Sequence, residues 1–388
     1  MTSQTRTPEA AAADSIESLA FRWGCCYDSY LAIEPGREYF WSASGRGALA
    51  YVRRGKYLHA SGGLLADDED KEPLLAELLA YAASRRLVVN FYNVTPDDLP
   101  LFRSYGFQIT KWGEEAVVHL GHCTWEGKAY EWVRRQSNYC QRQGLVFTEC
   151  AASETTAEAW AELMGQLCEV YPAPLATKPQ TAEVRFLEGN FDPTCLGRKR
   201  IFVARSEEGA GRIEGFLVCN PAQEGRLWVF ETYRHRPDAP RGTVTFLMHQ
   251  AIQVLEREGV AAISLCMVPG LRCGERMPHD SPLVRRSLAI ATRYFNFIFD
   301  IAGMYHFKTR FRPQFEDRYL CAHPRVTLGG AWSFIQILGV LNLSPAKLLR
   351  VAADRWRKSS ARATMPGVPT PAGLPSAEPG DTKREATH

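Results

Sequence analysis

A chain of 388 residues is long enough for two packed domains, or for one domain built of two similar halves. Its 45% hydrophobic and 23% charged residues suit an ordinary globular fold, and a formal net charge of +3 excludes nucleic-acid binding driven by bulk charge, so any phosphate site must be local. Eleven scattered cysteines without a C-x-x-C pair, and nine histidines without ligand spacing, argue for reduced thiols in a cytosolic protein and against a metal.

Met1 to Ser15 is polar and lacks the apolar core of a signal peptide, and residues 1–30 read as an N-terminal extension. Ala48–Arg53 and Tyr57–Leu64 then form two short strands across the turn Arg54-Gly55-Lys56. A polar stretch leads to Pro73, which suits the start of a helix because its missing N–H is not needed there. Leu74, Leu75, Leu78 and Leu79 give that helix an apolar face. Leu87–Tyr92 is a buried-strand pattern, Pro96–Tyr105 a short helix ended by Gly106, and Phe107 opens a strand towards His119. Gly127–Gly144 is a connecting helix.

The plan then repeats. Ala157–Tyr171 is an amphipathic helix, Ile201–Arg205 and Ile213–Asn220 a hairpin across Glu207-Glu208-Gly209, and Leu227–Arg234 a third strand. The turn Arg236–Arg241 precedes Thr243, a plausible N-cap for a helix over Val244–Glu258. Ala261–Val268 is a strand, Ser281–Phe295 a helix, and Arg318–Ala322 the closing strand. Trp112, the pair Phe295 and Phe297, and Leu328–Leu343 read as core packing; Ala331–Leu343 is too short and too polar to span a bilayer. The tail from Ser359 is rich in Pro, Gly, Ala and charge, a composition that favours disorder.

A hairpin, a strand, a helix and a strand, met twice, resemble two tandem acetyltransferase-like lobes: an α/β (α+β) fold in which each lobe is a mixed, mostly antiparallel sheet with flanking helices. The expected division is a first lobe over 31–125, the connecting helix over 126–145, a second lobe with the cleft over 146–345, and a helix end and tail over 346–388.

Three clusters carry chemistry. Glu231 and Arg234 precede the turn; three apart, they face opposite ways on a regular strand unless a bend or bulge brings both to a cleft. The turn itself, with one glycine and two prolines, is a poor cradle for the pyrophosphate of coenzyme A, because prolines offer no N–H. Lys308, Arg310 and Arg312 share a strand-like period of two, which fits either phosphate binding or a charged edge strand, and Glu316, Arg318 and Tyr319 follow. Arg134, Asn138 and Arg142 fall close to one helix face, solvated or facing phosphates. No nucleophile elbow, Walker loop or dinucleotide fingerprint occurs.

Taken together, Gly47-Ala-Leu-Ala-Tyr51, Phe102–Phe107 with Lys111-Trp-Gly-Glu-Glu-Ala116, Gly127-Lys128 with Arg134 and Asn138, Phe230-Glu-Thr-Tyr-Arg234 with its turn, and Phe307–Pro313 with Glu316-Asp-Arg-Tyr319 resemble the C-terminal catalytic domain of phosphatidylglycerol lysyltransferases over about Glu38 to Leu343. The resemblance implies transfer of an amino acid from aminoacyl-tRNA to a hydroxyl or amine acceptor, a phospholipid such as phosphatidylglycerol or a small molecule, with no cofactor. It implies a cytoplasmic protein in peripheral contact with the inner face of the membrane. By this likeness Glu231 and Arg234 line the aminoacyl pocket, Lys308 and Arg310 meet phosphate, and Glu316, Arg318 and Tyr319 order the site between lobes. Thr245 stands near the place of an expected acid, Glu231 stands where Asp is usual, Ser61-Gly62-Gly63 replaces a Gly-Asp-Pro turn, and the expectation is a protein without the transmembrane region that precedes the domain in many members. A coenzyme A-dependent N-acyltransferase and a non-catalytic lipid- or RNA-binding module remain the alternatives.

Overall fold

The computed structural model describes residues 15–172, 186–207, 211–294 and 300–339. The Phe295/Phe297 pair, the middle of the turn at 207–209, residues 340–343 and the tail from Ser359 lie outside the described residues. In chain order the elements are α1 (Ile16–Trp23), β1 (Glu38–Trp41), β2 (Ala48–Arg54), β3 (Tyr57–Leu65), α2 (Asp68–Ser84), β4 (Val88–Val94), α3 (Leu99–Ser104), β5 (Gln108–His119), α4 (Glu131–Arg142) and β6 (Leu145–Cys150). There follow α5 (Ala157–Val170), β7 (Arg200–Ser206), β8 (Ile213–Ala222), β9 (Leu227–His235), α6 (Thr243–Arg257), β10 (Ala262–Pro269), α7 (Pro282–Tyr294), α8 (Ile301–Thr309), β11 (Gln314–His323) and α9 (Leu328–Ile337).

The eleven strands of the described residues join one sheet, in the order β1-β2-β3-β4-β11-β5-β10-β9-β8-β7-β6. The two halves follow one plan. A hairpin leads to a strand that pairs in parallel with the next one across a helix: β3 with β4 across α2, and β9 with β10 across α6. Each half then lends its last strand to the other, so β11 lies antiparallel to β4 and β5 antiparallel to β10. The lent strands pair with each other at the sheet centre, with Glu316 opposite Glu115 and Asp317 opposite Glu114. This exchange brings charged residues from distant parts of the chain side by side.

Each half has its own apolar core. Leu58, Leu75, Phe91 and Phe102 fill the first, and Phe202, Phe230, Phe246 and Leu255 the second. All eight are fully buried, each worth roughly 1.5–3 kcal/mol against exposure.

Three local expectations change. Pro73 lies inside α2 rather than at its start, because Asp68, Glu69 and Asp70 take the first turn, where the helix dipole favours carboxylates. The N-cap of α6 is Gly242, at φ +97, and Thr243 is the first helical residue; its hydroxyl donates to the Pro240 carbonyl at 2.6 Å. Lys308 is not on a strand. It lies in α8, capped by Asp300, whose carboxylate accepts from the Gly303 N–H at 3.2 Å, and Arg310 and Arg312 follow as a C-cap and a residue at φ +54. The three cations therefore share no strand face, and the charged-edge reading fails with the phosphate-face one.

Candidate active site

The site forms where regular pairing fails on β9 and β10. On β9, Thr232 pairs with Val218 and Phe230 with Cys219, which leaves Glu231 as the extra residue of a bulge. Its carboxylate accepts from the Gly189 N–H, and from the Asn220 side-chain amide at 2.9 Å. A Cβ at residue 189 would land on that carboxylate, so glycine there lets Glu231 keep this position. Burial, and then the charge of Glu34, push Glu231 up to about 8. Glu34 is itself buried, accepts from the Asn190 N–H at 3.1 Å and pairs with Lys199 at 3.4 Å.

On β10 the pairing with β5 shifts between Ser264 and Met267, and Cys266 takes φ +64. The carbonyls of Cys266 and Met267 accept from the Lys308 ammonium at 3.0 and 2.9 Å. Two of its three hydrogens are thus fixed. Burial pushes Lys308 down to about 8, opposed by the charges of Cys266, Glu115 and Glu188. The Cys266 thiol donates to the carbonyl of Phe230, the neighbour of Glu231, at 3.6 Å, so Cys266 links Lys308 to the bulge of β9.

The central pair of strands supplies the rest. Arg318, 3% exposed, donates through Nε to Glu115 at 2.8 Å and through Nη2 to Glu115 at 2.7 Å and Glu316 at 2.9 Å. Burial alone would lower its pKa, yet the Glu115 charge, with Cys26 and Glu316, raises it overall, so Arg318 is a permanent cation. Asp28 lies close by. Its Oδ2 accepts from the Asn93 amide at 2.8 Å and the Gly62 N–H at 3.2 Å, and burial pushes it up to about 6. The remaining oxygens, Asp28 Oδ1 and Glu115 Oε1, are buried with no hydrogen-bond partner. Unmatched buried carboxylate oxygens are costly, and a cationic guest would satisfy them.

The structure thus brings together Glu231, Lys308, Glu316 and Arg318. It places the other expected residues elsewhere. Arg234, beyond the bulge, stacks over Tyr171 at 5.1 Å and donates to the Tyr233 carbonyl. Tyr319 donates to Asp317 at 3.0 Å and packs in the first core. Thr245 is buried in α6. Arg310 lies over the Trp132 ring at 5.3 Å and bonds His306 at 2.7 Å. Arg134 leaves the basic face of α4, because its guanidinium holds the carbonyls of Trp125 and Gly127, each at 2.7 Å. Asn138 and Arg142 line an open groove with Trp132, Arg135, Tyr139 and Arg241.

Asp28, Glu34, Arg37, Lys199, Asn220 and Cys266 were missed by the sequence reading. Arg37 donates to Ser61 and to the Phe186 carbonyl, at 3.2 and 2.8 Å, and so ties the segment that covers Glu231 to β3. Asn220 had a signal: a lone amide inside the apolar run of β8. Among the described residues, no group of three or more His, Cys, Asp or Glu could hold a metal ion, and no helix is long and apolar enough to cross a membrane.

The family model described as "Phosphatidylglycerol lysyltransferase, C-terminal" matches residues 26–322, most of the chain and every residue of this cluster. The chain belongs to that family. Among curated relatives, the phosphatidylglycerol lysyltransferase of Bacillus subtilis (strain 168) is 25% identical over 293 residues, 75% of this chain and 33% of the relative. That of Staphylococcus aureus (strain COL) is 23% identical over 307 residues, 79% of this chain and 35% of the relative. The chain therefore spans about a third of the length of these relatives. Of solved structures, L-PGS from Bacillus licheniformis aligns with a TM-score of 0.70 at 22% identity, covering 86% of this chain and 96% of that one. The C-terminal domain of a putative lysylphosphatidylglycerol synthetase from Agrobacterium fabrum gives 0.67 at 23% identity, covering 82% and 94%. These likenesses establish that the chain shares the fold of those domains.

Proposed function

We propose that this protein is a lipid aminoacyltransferase, moving an amino acid from aminoacyl-tRNA to a hydroxyl of phosphatidylglycerol or a similar acceptor. The observation that carries the reading is the pair of unmatched, buried oxygens of Asp28 and Glu115, set beside Lys308 and Arg318 inside the stretch matched by the family. A cluster with acids at two poles suits a substrate with two ammonium groups, as in lysine. Glu231 holds the α-ammonium, and Asp28 with Glu115 receives the second.

The donor is already an activated ester, so the step is a transesterification. The acceptor oxygen attacks the ester carbonyl, the bond to the ribose oxygen breaks, and the acceptor's proton ends on that oxygen. Lys308, with one hydrogen beyond its two carbonyl partners, stabilises the oxyanion. Placement of the two reactants supplies up to roughly 7–11 kcal/mol. The groove beside α4, with Asn138, Arg142 and Arg241 for phosphates and Trp132 and Tyr139 for bases, is our site for the tRNA end.

Coenzyme A fits less well. The α6 N-terminus, where its pyrophosphate would lie, is packed against α4 so closely that a Cβ on Gly242 would sit 2.6 Å from Gln136 Oε1. The test is to incubate the protein with a panel of tRNAs, each carrying a labelled amino acid, and phosphatidylglycerol vesicles. We expect label in lipid from lysyl-tRNA first; stabilisation by acetyl-coenzyme A without any such product would overturn the reading.

A further inference from the structure

We infer that the outer face of α9, with the turn between β2 and β3, is a docking surface for an anionic lipid bilayer. The inner face of α9 is fixed to the first half. Phe334 stacks on Tyr92 at 4.4 Å, Ser333 bonds the buried His59 at 3.0 Å, and Gln336 accepts from Arg54 at 2.7 Å. Gly329 allows this close seat, since a Cβ there would run into the Tyr57 hydroxyl.

The outer face corrects the expectation that this stretch packs a core. Leu328 is 75% exposed and Trp332, one turn on, 53%, the two largest exposures of any large hydrophobic side chain among the described residues. Scattered apolar side chains on a surface need no explanation, but these two adjoin a rim of cations. Arg53, Arg54 and Lys56 are exposed on the β2–β3 turn, which touches α9 through Arg54 and Tyr57, and Arg325 is exposed just before the helix. No Asp or Glu occurs from Ala48 to Ala66 or from His323 to Gly339. A tryptophan and a leucine beside the cations Arg53, Arg54, Lys56 and Arg325 match the boundary between acyl chains and anionic headgroups. A second copy of the chain is a poor occupant, because a two-fold contact would set the cations against themselves. The surface also adjoins the site: Phe334 meets the ring of Phe186, which begins the segment covering Glu231. That the bilayer brings the acceptor rests on the proposed function; the docking itself does not.

The test uses the full chain without tRNA, sedimented with vesicles of phosphatidylcholine alone or mixed equally with phosphatidylglycerol. We expect at least about tenfold tighter binding to the mixed vesicles, weakened by salt. Leu328→Ser with Trp332→Ser should lower it about tenfold or more. Arg53→Glu with Lys56→Glu should lower it by at least about 25-fold, roughly fivefold for each cation. Both double variants should keep the wild-type melting temperature and wild-type transfer to a water-soluble, short-chain phosphatidylglycerol. Should neither substrate nor enzyme variant show transfer while vesicle binding behaves as stated, the proposed function fails and the docking surface stands. Vesicle binding unchanged in both variants overturns the inference. So does a Trp332-dependent dimer in sedimentation without vesicle binding, which would assign the patch to a second copy.

Discussion

β3 and β9 hold the same place in the two halves, each leading into the helix that crosses to a parallel partner, yet they are bent by different means. β3 bends through Gly62 and Gly63, at φ +85 and +78, and its pairing with β2 shifts there. A Cβ on Gly62 would sit 2.8 Å from Ser29 Cα, so the kink is what seats Asp28 and Ser29 against the sheet. β9 bends at Glu231 and turns that carboxylate into the cluster. The first half thus spends its irregularity on backbone that holds an acid in place, and the second on side chains that titrate near neutrality. One plan has been turned to support in one half and to chemistry in the other.

Four changes would break or sharpen that contrast. The largest effect is expected at the join. Arg318→Met leaves Glu115 buried without its partner and should cost about 3–5 kcal/mol in a denaturant titration. Glu231→Gln comes next. It should stay folded while kcat/KM for transfer falls on the order of 100-fold, because the amide cannot give up a proton to pair with the α-ammonium. The glycines rank third. Gly62→Ala combines a positive φ with a backbone clash and should cost more than about 2 kcal/mol. Gly55→Ala, at φ +60 in open space, should cost about 1 kcal/mol in the same thermal melts.

A last prediction concerns the pH dependence of stability. Folded Glu231 keeps its proton up to about 8, whereas in the unfolded chain it releases it near 4.5. Between those values the folded state binds more protons, so stability falls as pH rises, and Glu231→Gln should flatten that slope. Lys308 has the opposite sign in a higher window. Its folded value of about 8 lies below the ordinary 10.5, so stability recovers as pH rises from 8 towards 10.5.

Local pattern made much of this visible in the sequence. The hairpin of β2 and β3, the strand of β9 and the helix of α6 stand within a residue or two of their expected limits, since each has its own periodicity and turn residues. Glu231 was legible as a candidate, and the need for a bulge with it. The period of two at Lys308, Arg310 and Arg312 misled because α8 ends there, and residues at a helix end keep no fixed face. What no local pattern carries is the exchange of β5 and β11. Only that pairing sets Glu115 against Glu316 and Arg318, and only the kink at Gly62 brings Asp28 out of an apparent extension into the same cluster. Contacts across 200 residues of chain leave no periodic trace.

The most direct test of the account is the single-turnover rate of labelled amino acid passing from tRNA to phosphatidylglycerol by wild type and Lys308→Ala, with tRNA affinity measured alongside. Loss of a preorganised oxyanion donor predicts a rate lower by about 100-fold or more with tRNA affinity retained. A variant that transfers at the wild-type rate would contradict it.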